Sequence, residues 1–169
     1  MRVLMLAPPG GGKGTQGVRL AEHLGCEHIS SGDLLRAAVA GDTPLGREVD
    51  GYLRAGKLAP DALVTEAIRP ILATHEHYVL DGFPRRLAQA EGVDFDVVVF
   101  LDVPFDVVKR RLLDRGREDD TPEVIEQRLH EYTEDTLPLV DHYRDAGVLV
   151  RIDGDRPMDE IAADLRERL

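Results

Sequence analysis

Cysteine occurs once in the 169 residues, at Cys26, which excludes an intrachain disulfide and a cysteine zinc cluster. Tryptophan is absent, and four tyrosines with four phenylalanines leave few rings for stacking on nucleic-acid bases. Positive charge is also short. Lys and Arg total 21 against 32 Asp and Glu, a net charge of -11, so a general polyanion binder is disfavoured and any phosphate chemistry must use local cations. Lysine itself appears only at Lys13, Lys57 and Lys109. No apolar run approaches the ~20 residues of a membrane span, and the first, Val3 to Ala7, is too short for a secretory leader. These shortages predict a soluble, cytoplasmic protein in a reducing setting, with no membrane and no nucleic-acid partner. What is there is a 43% hydrophobic share, enough for one compact domain with small inserted lobes.

Five short apolar runs mark candidate strands: Val3 to Leu6, His28-Ile29, Tyr78 to Leu80, Val97 to Leu101 and Val148 to Ile152. The fourth has no polar alternation, as expected of a strand covered on both faces of a parallel sheet. Helical spacing fills the intervals. Val124, Ile125, Leu129, Tyr132, Leu139 and Tyr143 predict one long helix entered through Asp120-Thr121-Pro122 and kinked near Pro138. A second helix starts at Pro104 with Phe105, Val108 and Leu112 on one side. Alternating strands and helices imply right-handed crossovers and an α/β fold. From about Ser31 to Pro60 only polar helix-like segments appear, which predicts a helical lobe between strands two and three. Gly116 to Thr121 predicts a hinged loop.

Ala7-Pro8-Pro9-Gly10-Gly11-Gly12-Lys13-Gly14-Thr15 follows the first strand and precedes a helix expected over about Thr15 to Leu24. Consecutive glycines let several amide N–H groups turn into one concavity at a helix N-terminus, a cradle for a phosphate chain, and Lys13 adds a point charge. The competing reading is a plain strand-to-helix turn with an exposed lysine. The loop departs from GxxxxGK[ST]: Ala7 takes the first glycine position, and Gly14 stands where a hydroxyl belongs, with Thr15 one residue late. Pro8 biases Ala7 toward extended backbone at negative φ. The displaced hydroxyl argues against direct Mg²⁺ ligation by the loop and for a metal held through water and a carboxylate.

Asp81 and Asp102 each close an apolar strand. Asp81 is the favoured partner of Mg²⁺ because it leads into Gly82-Phe83-Pro84-Arg85 at a strand's C-terminal edge, where ligands collect; Asp102 reads equally as a helix cap. Planar guanidinium groups suit the clamping of two polyanions. The candidates are Arg36, Arg85, Arg115, Arg117 and Arg128, with Arg111 four residues before Arg115 on the same helix face. Glu118, Asp119 and Asp120 are available to pair Arg115 and Arg117 as ordinary surface charges. His23, His28, His75, His77, His130 and His142 show no metal-ligand spacing and no triad pattern, so no catalytic histidine and no zinc hydrolysis are expected.

Together, Gly10 to Gln16, Ser30-Ser31-Gly32-Asp33-Leu34-Leu35-Arg36, Asp81-Gly82-Phe83-Pro84-Arg85 and Arg115-Gly116-Arg117-Glu118-Asp119-Asp120 resemble adenylate kinase in its short-lid form, over the whole chain. The resemblance implies a P-loop fold with a five-stranded parallel sheet: a CORE (1–29, 60–115, 122–169), an AMP-binding lobe (30–59) and a lid reduced to 116–121. It implies that Gly10, Gly11, Gly12, Lys13, Gly14 and Thr15 hold the ATP phosphates, Arg115 contacts ATP, and Arg111 lies over the ATP adenine. Arg156 would border the adenine pocket through its backbone. It assigns AMP to Ser31, Arg36, the Lys57-Leu58-Ala59 backbone, Gly82, Phe83, Pro84, Arg85 and Gln89. Arg117 and Arg128 would clamp the transferring group, and Asp33 and Asp81 would organise Mg²⁺ through water. The catalytic set is then Lys13, Arg85, Arg115, Arg117 and Arg128.

Ser31 stands where AMP-type relatives usually carry threonine, but it keeps the hydroxyl, and Gln89 presents both a donor and an acceptor to a base edge. Both positions favour AMP over pyrimidine monophosphates. The resemblance implies reversible, Mg-dependent transfer from ATP to AMP giving two ADP, by a monomer without structural zinc. The alternatives are a UMP/CMP kinase and a non-catalytic nucleotide switch.

Overall fold

The computed structural model describes residues 1–118 and 120–169; Asp119, one of the expected partners of the lid arginines, lies outside them. Five parallel strands, β1 (Arg2–Leu6), β2 (Glu27–Ser30), β3 (Tyr78–Asp81), β4 (Val97–Asp102) and β5 (Leu149–Asp153), stand in the order β2-β3-β1-β4-β5. Each falls on one of the apolar runs. Val3 of β1 pairs with Val79 on one side and Val97 on the other. Because β3 and β4 flank β1, the chain winds first to one side of β1 and then to the other. A crevice opens at that reversal, beyond the strands' C-terminal ends.

The helices are α1 (Lys13–Leu24), α2 (Ser31–Ala40), α3 (Pro44–Arg54), α4 (Asp61–Leu72), the short α5 (Leu87–Ala90), α6 (Phe105–Arg115), α7 (Pro122–Glu131), α8 (Pro138–Asp145) and α9 (Met158–Arg168). They explain the unbroken apolar strands. Val3, Met5, Val79, Val99 and Leu101 cluster with Leu20 of α1 and with Ile161 and Leu165 of α9. The alternate residues Leu4, Leu6, Leu80, Val98 and Phe100 cluster with Ile68 of α4 and with Leu139 and Tyr143 of α8. Every strand residue in the centre thus meets a helix, and each fully buried aliphatic side chain contributes roughly 1.5–3 kcal/mol. A third cluster, Val103, Val108, Leu112, Ile125 and Leu129, joins α6 to α7.

Three expectations are corrected in detail. α1 begins at Lys13 rather than Thr15, because Gly12 takes the cap position at φ 90°, left-handed backbone that glycine adopts without a Cβ clash. Phe105 leaves the packed face of its helix: it is 40% exposed and meets the edge of Tyr132 at 6.2 Å between ring centres. It is the first residue of α6, before the helix turns onto the core. The single long helix after Thr121 is broken. A π-turn over Tyr132–Thr136 separates α7 from α8, with the Leu137 N–H donating to the Tyr132 carbonyl at 2.7 Å. Pro138 has no N–H for the preceding turn, so the widened turn takes up the mismatch.

Between β2 and β3 the backbone forms α2 and α3, both with hydroxyl caps. Ser30 Oγ accepts from the Asp33 N–H at 3.4 Å, and Thr43 Oγ1 from the Gly46 N–H at 3.0 Å. Ala7 does not have left-handed backbone; among the described residues other than glycine, positive φ falls at Asp42. No described helix is long and apolar enough to cross a membrane.

Candidate active site

The crevice at the strand ends is a cleft of about 610 Å³. Its floor is the loop from β1 to α1. Gly10 at φ 77° and Gly12 at φ 90° bend this loop back over the start of α1, and the Gln16 N–H closes the first helical turn on the Gly12 carbonyl at 2.9 Å. The free N–H groups of that turn and the helix dipole favour an anion here. Lys13 lies in the floor. Burial and the charge of Arg85 lower its pKa to about 8, with Arg115 and Arg36 pressing the same way and Asp81 opposing them. An empty cleft therefore holds this ammonium at a disadvantage that an arriving phosphate chain would remove.

Asp81, at the end of β3, is 5% exposed and faces the loop. Its Oδ2 accepts from His28 Nε2 at 2.8 Å and its Oδ1 from Ser30 Oγ at 3.1 Å. Burial pushes this carboxyl up. The His28 hydrogen bond and the charge of Lys13 outweigh that and hold it below the usual carboxylate value. Asp102 is outside this cleft: it pairs with Arg151 at the sheet edge. Hard oxygen donors, Asp81 and Asp33, line the cleft. Each oxygen of Asp81 takes one protein donor and has lone-pair capacity left for a water. No group of three or more metal-ligating side chains occurs among the described residues. Such a donor set fits Mg²⁺, which keeps most of its waters and rides on nucleotide phosphates.

Above the floor stand the arginines. Arg85 is half-buried, and desolvation there, with the charges of Arg36 and Arg128, lowers its pKa against the opposing pull of Asp81. Its Nε donates to the Gly82 carbonyl at 2.8 Å. Gly82 is at φ 82°, and a Cβ there would collide with Ser31 Oγ, so this junction between β3 and α2 has room for glycine only. Arg115 and Arg128 converge on Asp120, whose side chain is fully buried. Arg115 Nε and Nη2 donate to it at 2.8 and 2.7 Å, Arg128 Nη1 at 2.7 Å, and the Arg117 N–H at 3.2 Å. Burial raises the Asp120 carboxyl, but these donors outweigh it and lower the pKa. Arg117 is exposed, but partial desolvation and its neighbours Arg115 and Arg36 lower its pKa. One carboxylate thus holds guanidinium groups that would otherwise repel one another.

At the other end, Ser31 is buried at the start of α2, and Arg36 Nη2 donates to Asp33 Oδ1 at 2.5 Å. Gln89, on α5, borders the cleft at 4% exposure. The chain segment from Lys57 to Ala59 also lines the cleft, but part of its backbone is already engaged. The Leu58 N–H donates to Glu131 Oε2 at 3.2 Å, and the Ala59 carbonyl accepts from Arg86 Nη1 at 3.4 Å.

Of the residues singled out in the sequence, Gly10, Gly12, Lys13, Gly14, Thr15, Ser31, Asp33, Arg36, Lys57, Leu58, Ala59, Asp81, Gly82, Pro84, Arg85, Gln89, Arg111, Arg115, Arg117 and Arg128 all line this one cleft. Gly11, Phe83 and Arg156 do not. Gly11 is turned inward, Phe83 is fully buried in the core, and Arg156 directs its guanidinium to Asp164 at 2.6 Å. The loop carrying Arg156 still reaches the site, since Arg111 Nη2 donates to the Gly154 carbonyl at 3.1 Å. Sequence reasoning set His28 aside with the other histidines, read Tyr132 as a packing residue, did not single out Glu131, and weighed Asp120 as part of a helix entry and as a surface partner; the first three line the cleft. The signal for His28 was its place one strand over from Asp81, visible once the β2–β3 register, His28 opposite Val79, is known.

A family model described as adenylate kinase matches residues 5–148. The chain belongs to the adenylate kinase family. It is 44% identical to adenylate kinase 1 of Nostoc sp., with 99% of this chain and 98% of that one aligned. It is 46% identical to the adenylate kinase of Thermus thermophilus over 99% of this chain and 96% of the relative, and 43% identical to that of Nocardia farcinica over 95% and 94%. The aligned portions cover nearly the whole of this chain, so the cleft lies within the shared portion.

Proposed function

We propose that this cleft carries out reversible transfer of the terminal phosphoryl group of ATP to AMP, giving two ADP. The observation that carries the reading is the gathering of Lys13, Arg36, Arg85, Arg115, Arg117 and Arg128 around one cleft in a molecule of net charge -11. A site for one nucleotide has no use for cations at both ends; a site for two polyanions held end to end does.

The loop from Gly10 to Thr15 binds the donor phosphates, with Arg111 and Arg115 on the donor side. Ser31, Arg36, Arg85 and Gln89 bind and orient the acceptor. An oxygen of the AMP phosphate attacks the terminal phosphorus of ATP, and the bond to the ADP oxygen breaks, so no side chain forms a covalent intermediate. Lys13, Arg85, Arg117 and Arg128 stabilise the negative charge spreading over the migrating group. Asp81 and Asp33 would hold the waters of a Mg²⁺ ion arriving with ATP, and that ion would supply further neutralisation of the charge. The AMP-binding lobe at 30–59 and the short lid at 116–121 close on the CORE and exclude water, the competing acceptor. The enzyme is read as a cytoplasmic monomer acting on free nucleotides.

A coupled assay of ADP formation tests the reading. AMP-dependent turnover with ATP is expected, and the hydroxyl of Ser31 with the amide of Gln89 should place AMP ahead of CMP and UMP in competition. Turnover confined to CMP or UMP, or no turnover in clean protein, would refute it.

A further inference from the structure

Gln89 carries two bonds that phosphate chemistry does not require. Its Oε1 accepts from the Arg85 backbone N–H at 2.7 Å, and its Nε2 donates to Asp61 Oδ1 at 2.7 Å. A backbone N–H can only donate and a carboxylate oxygen only accept. The two bonds therefore fix the amide in one of its two nearly isosteric orientations. One N–H and one lone-pair direction remain on a side chain that borders the cleft. Asp61 does not border it. It stands behind Gln89 on the first turn of α4, where the same Oδ1 also accepts from Arg86 Nη1 at 2.9 Å.

We propose that Asp61 is a positioning residue for base selection: by fixing the Gln89 amide it makes the acceptor site admit adenine and reject purines with a carbonyl at the six-position. The inference rests on the reading of Gln89 as the group that meets the acceptor base. Adenine presents an N6–H donor beside the N1 acceptor. Hypoxanthine presents an O6 acceptor beside an N1–H donor, the same two places with the roles exchanged. An amide free to turn over serves both bases. An amide held from both ends serves one, and the other base then leaves buried polar atoms facing like partners, a costly arrangement. Arg85 contributes its half of the constraint through the backbone. Asp61 contributes the half that a side-chain substitution can remove.

The test compares kcat/KM for AMP and for inosine 5′-monophosphate, at saturating ATP, in the unaltered enzyme and in Asp61→Ala, Arg86→Leu and Gln89→Leu. The AMP-to-inosinate ratio cancels the fraction of folded enzyme, so partial instability of a variant does not blur it. Asp61→Ala is expected to narrow the ratio about three- to tenfold, the worth of one ordinary hydrogen bond. Most of the change should lie in KM. Arg86→Leu removes the other partner of Asp61 and is expected to leave the ratio unchanged. Gln89→Leu should narrow it at least as far as Asp61→Ala. If Gln89→Leu narrows the ratio and Asp61→Ala does not, or if Arg86→Leu narrows it equally, the positioning role of Asp61 is overturned while the reading of Gln89 stands. If Gln89→Leu leaves the ratio untouched, Gln89 does not read the base and both fall.

Discussion

Lys13 and Arg85 sit where burial opposes their charge, and each is partly offset by Asp81. Replacing either with alanine removes a preorganised electrostatic stabiliser, so Lys13→Ala and Arg85→Ala should each lower kcat at least about a hundredfold. Steady-state kinetics on the folded variants checks this, and a near-normal rate would remove the assigned role. The Lys13 pKa of about 8 adds a pH signature. Above that pH the free enzyme loses the cation that meets the phosphates, so kcat/KM for ATP should fall. At saturating ATP the adjacent polyanion stabilises the ammonium, and the basic limb of kcat should move to higher pH. Profiles of the two parameters decide it; superimposable limbs would show that Lys13 is not the group titrating. Lys13, Arg36, Arg85 and Asp81 were legible in the sequence because strand, glycine loop and strand end fix where their backbones lie. His28, Asp61 and Arg86 were not, since their roles depend on partners 25 or more positions away that only the packed fold brings within hydrogen-bond distance.

The segment entering α7 shows how an element positions a site. Thr121 Oγ1 accepts from the Val124 N–H at 3.3 Å, and Pro122 supplies the first helical residue. With the hydroxyl fulfilling the cap, the preceding Asp120 turns inward to the arginines. Thr121→Ala should cost about 1 kcal/mol of stability, read from denaturant unfolding. It should also raise the KM for ATP, because Arg115 and Asp120 lose a fixed anchor; loss of stability with unchanged KM would separate the cap from the site. The cap was visible in Asp120-Thr121-Pro122, as was the rhythm of apolar positions through α7 and α8. The π-turn between them was not, because apolar spacing changes by only one residue there and a proline signals the break without its form. Thr136, in that turn, donates its hydroxyl to the Arg85 carbonyl at 2.8 Å, tying the turn to the cleft.

At the scale of the molecule, the parallel sheet and its coverage followed from the uninterrupted run Val97 to Leu101, whereas the strand order had no trace in local patterning, since it depends on which crossover packs on which face. Buried carboxylates held low by their partners make the fold acid-sensitive. Asp81 and Asp120 have folded pKa values below the ordinary 3.8. Their contribution is complete above that value and lost as pH falls through the lower folded values, because the unfolded chain then binds more protons. Thermal midpoints should therefore drop steeply below about pH 4, and Asp120→Asn should flatten that drop. A two-headed ligand with an adenosine at each end of a phosphate chain should raise the midpoint well above ATP alone, because one molecule then engages both ends of the cleft. Equal shifts would argue for a single nucleotide site. The excess of cations lining the cleft of an acidic molecule has a practical corollary. With guanidinium groups lining the interior and acidic residues in excess overall, the protein should adsorb to a cationic resin by its outer wall, leaving the mouth turned toward the liquid, so that immobilised enzyme keeps working on the bead.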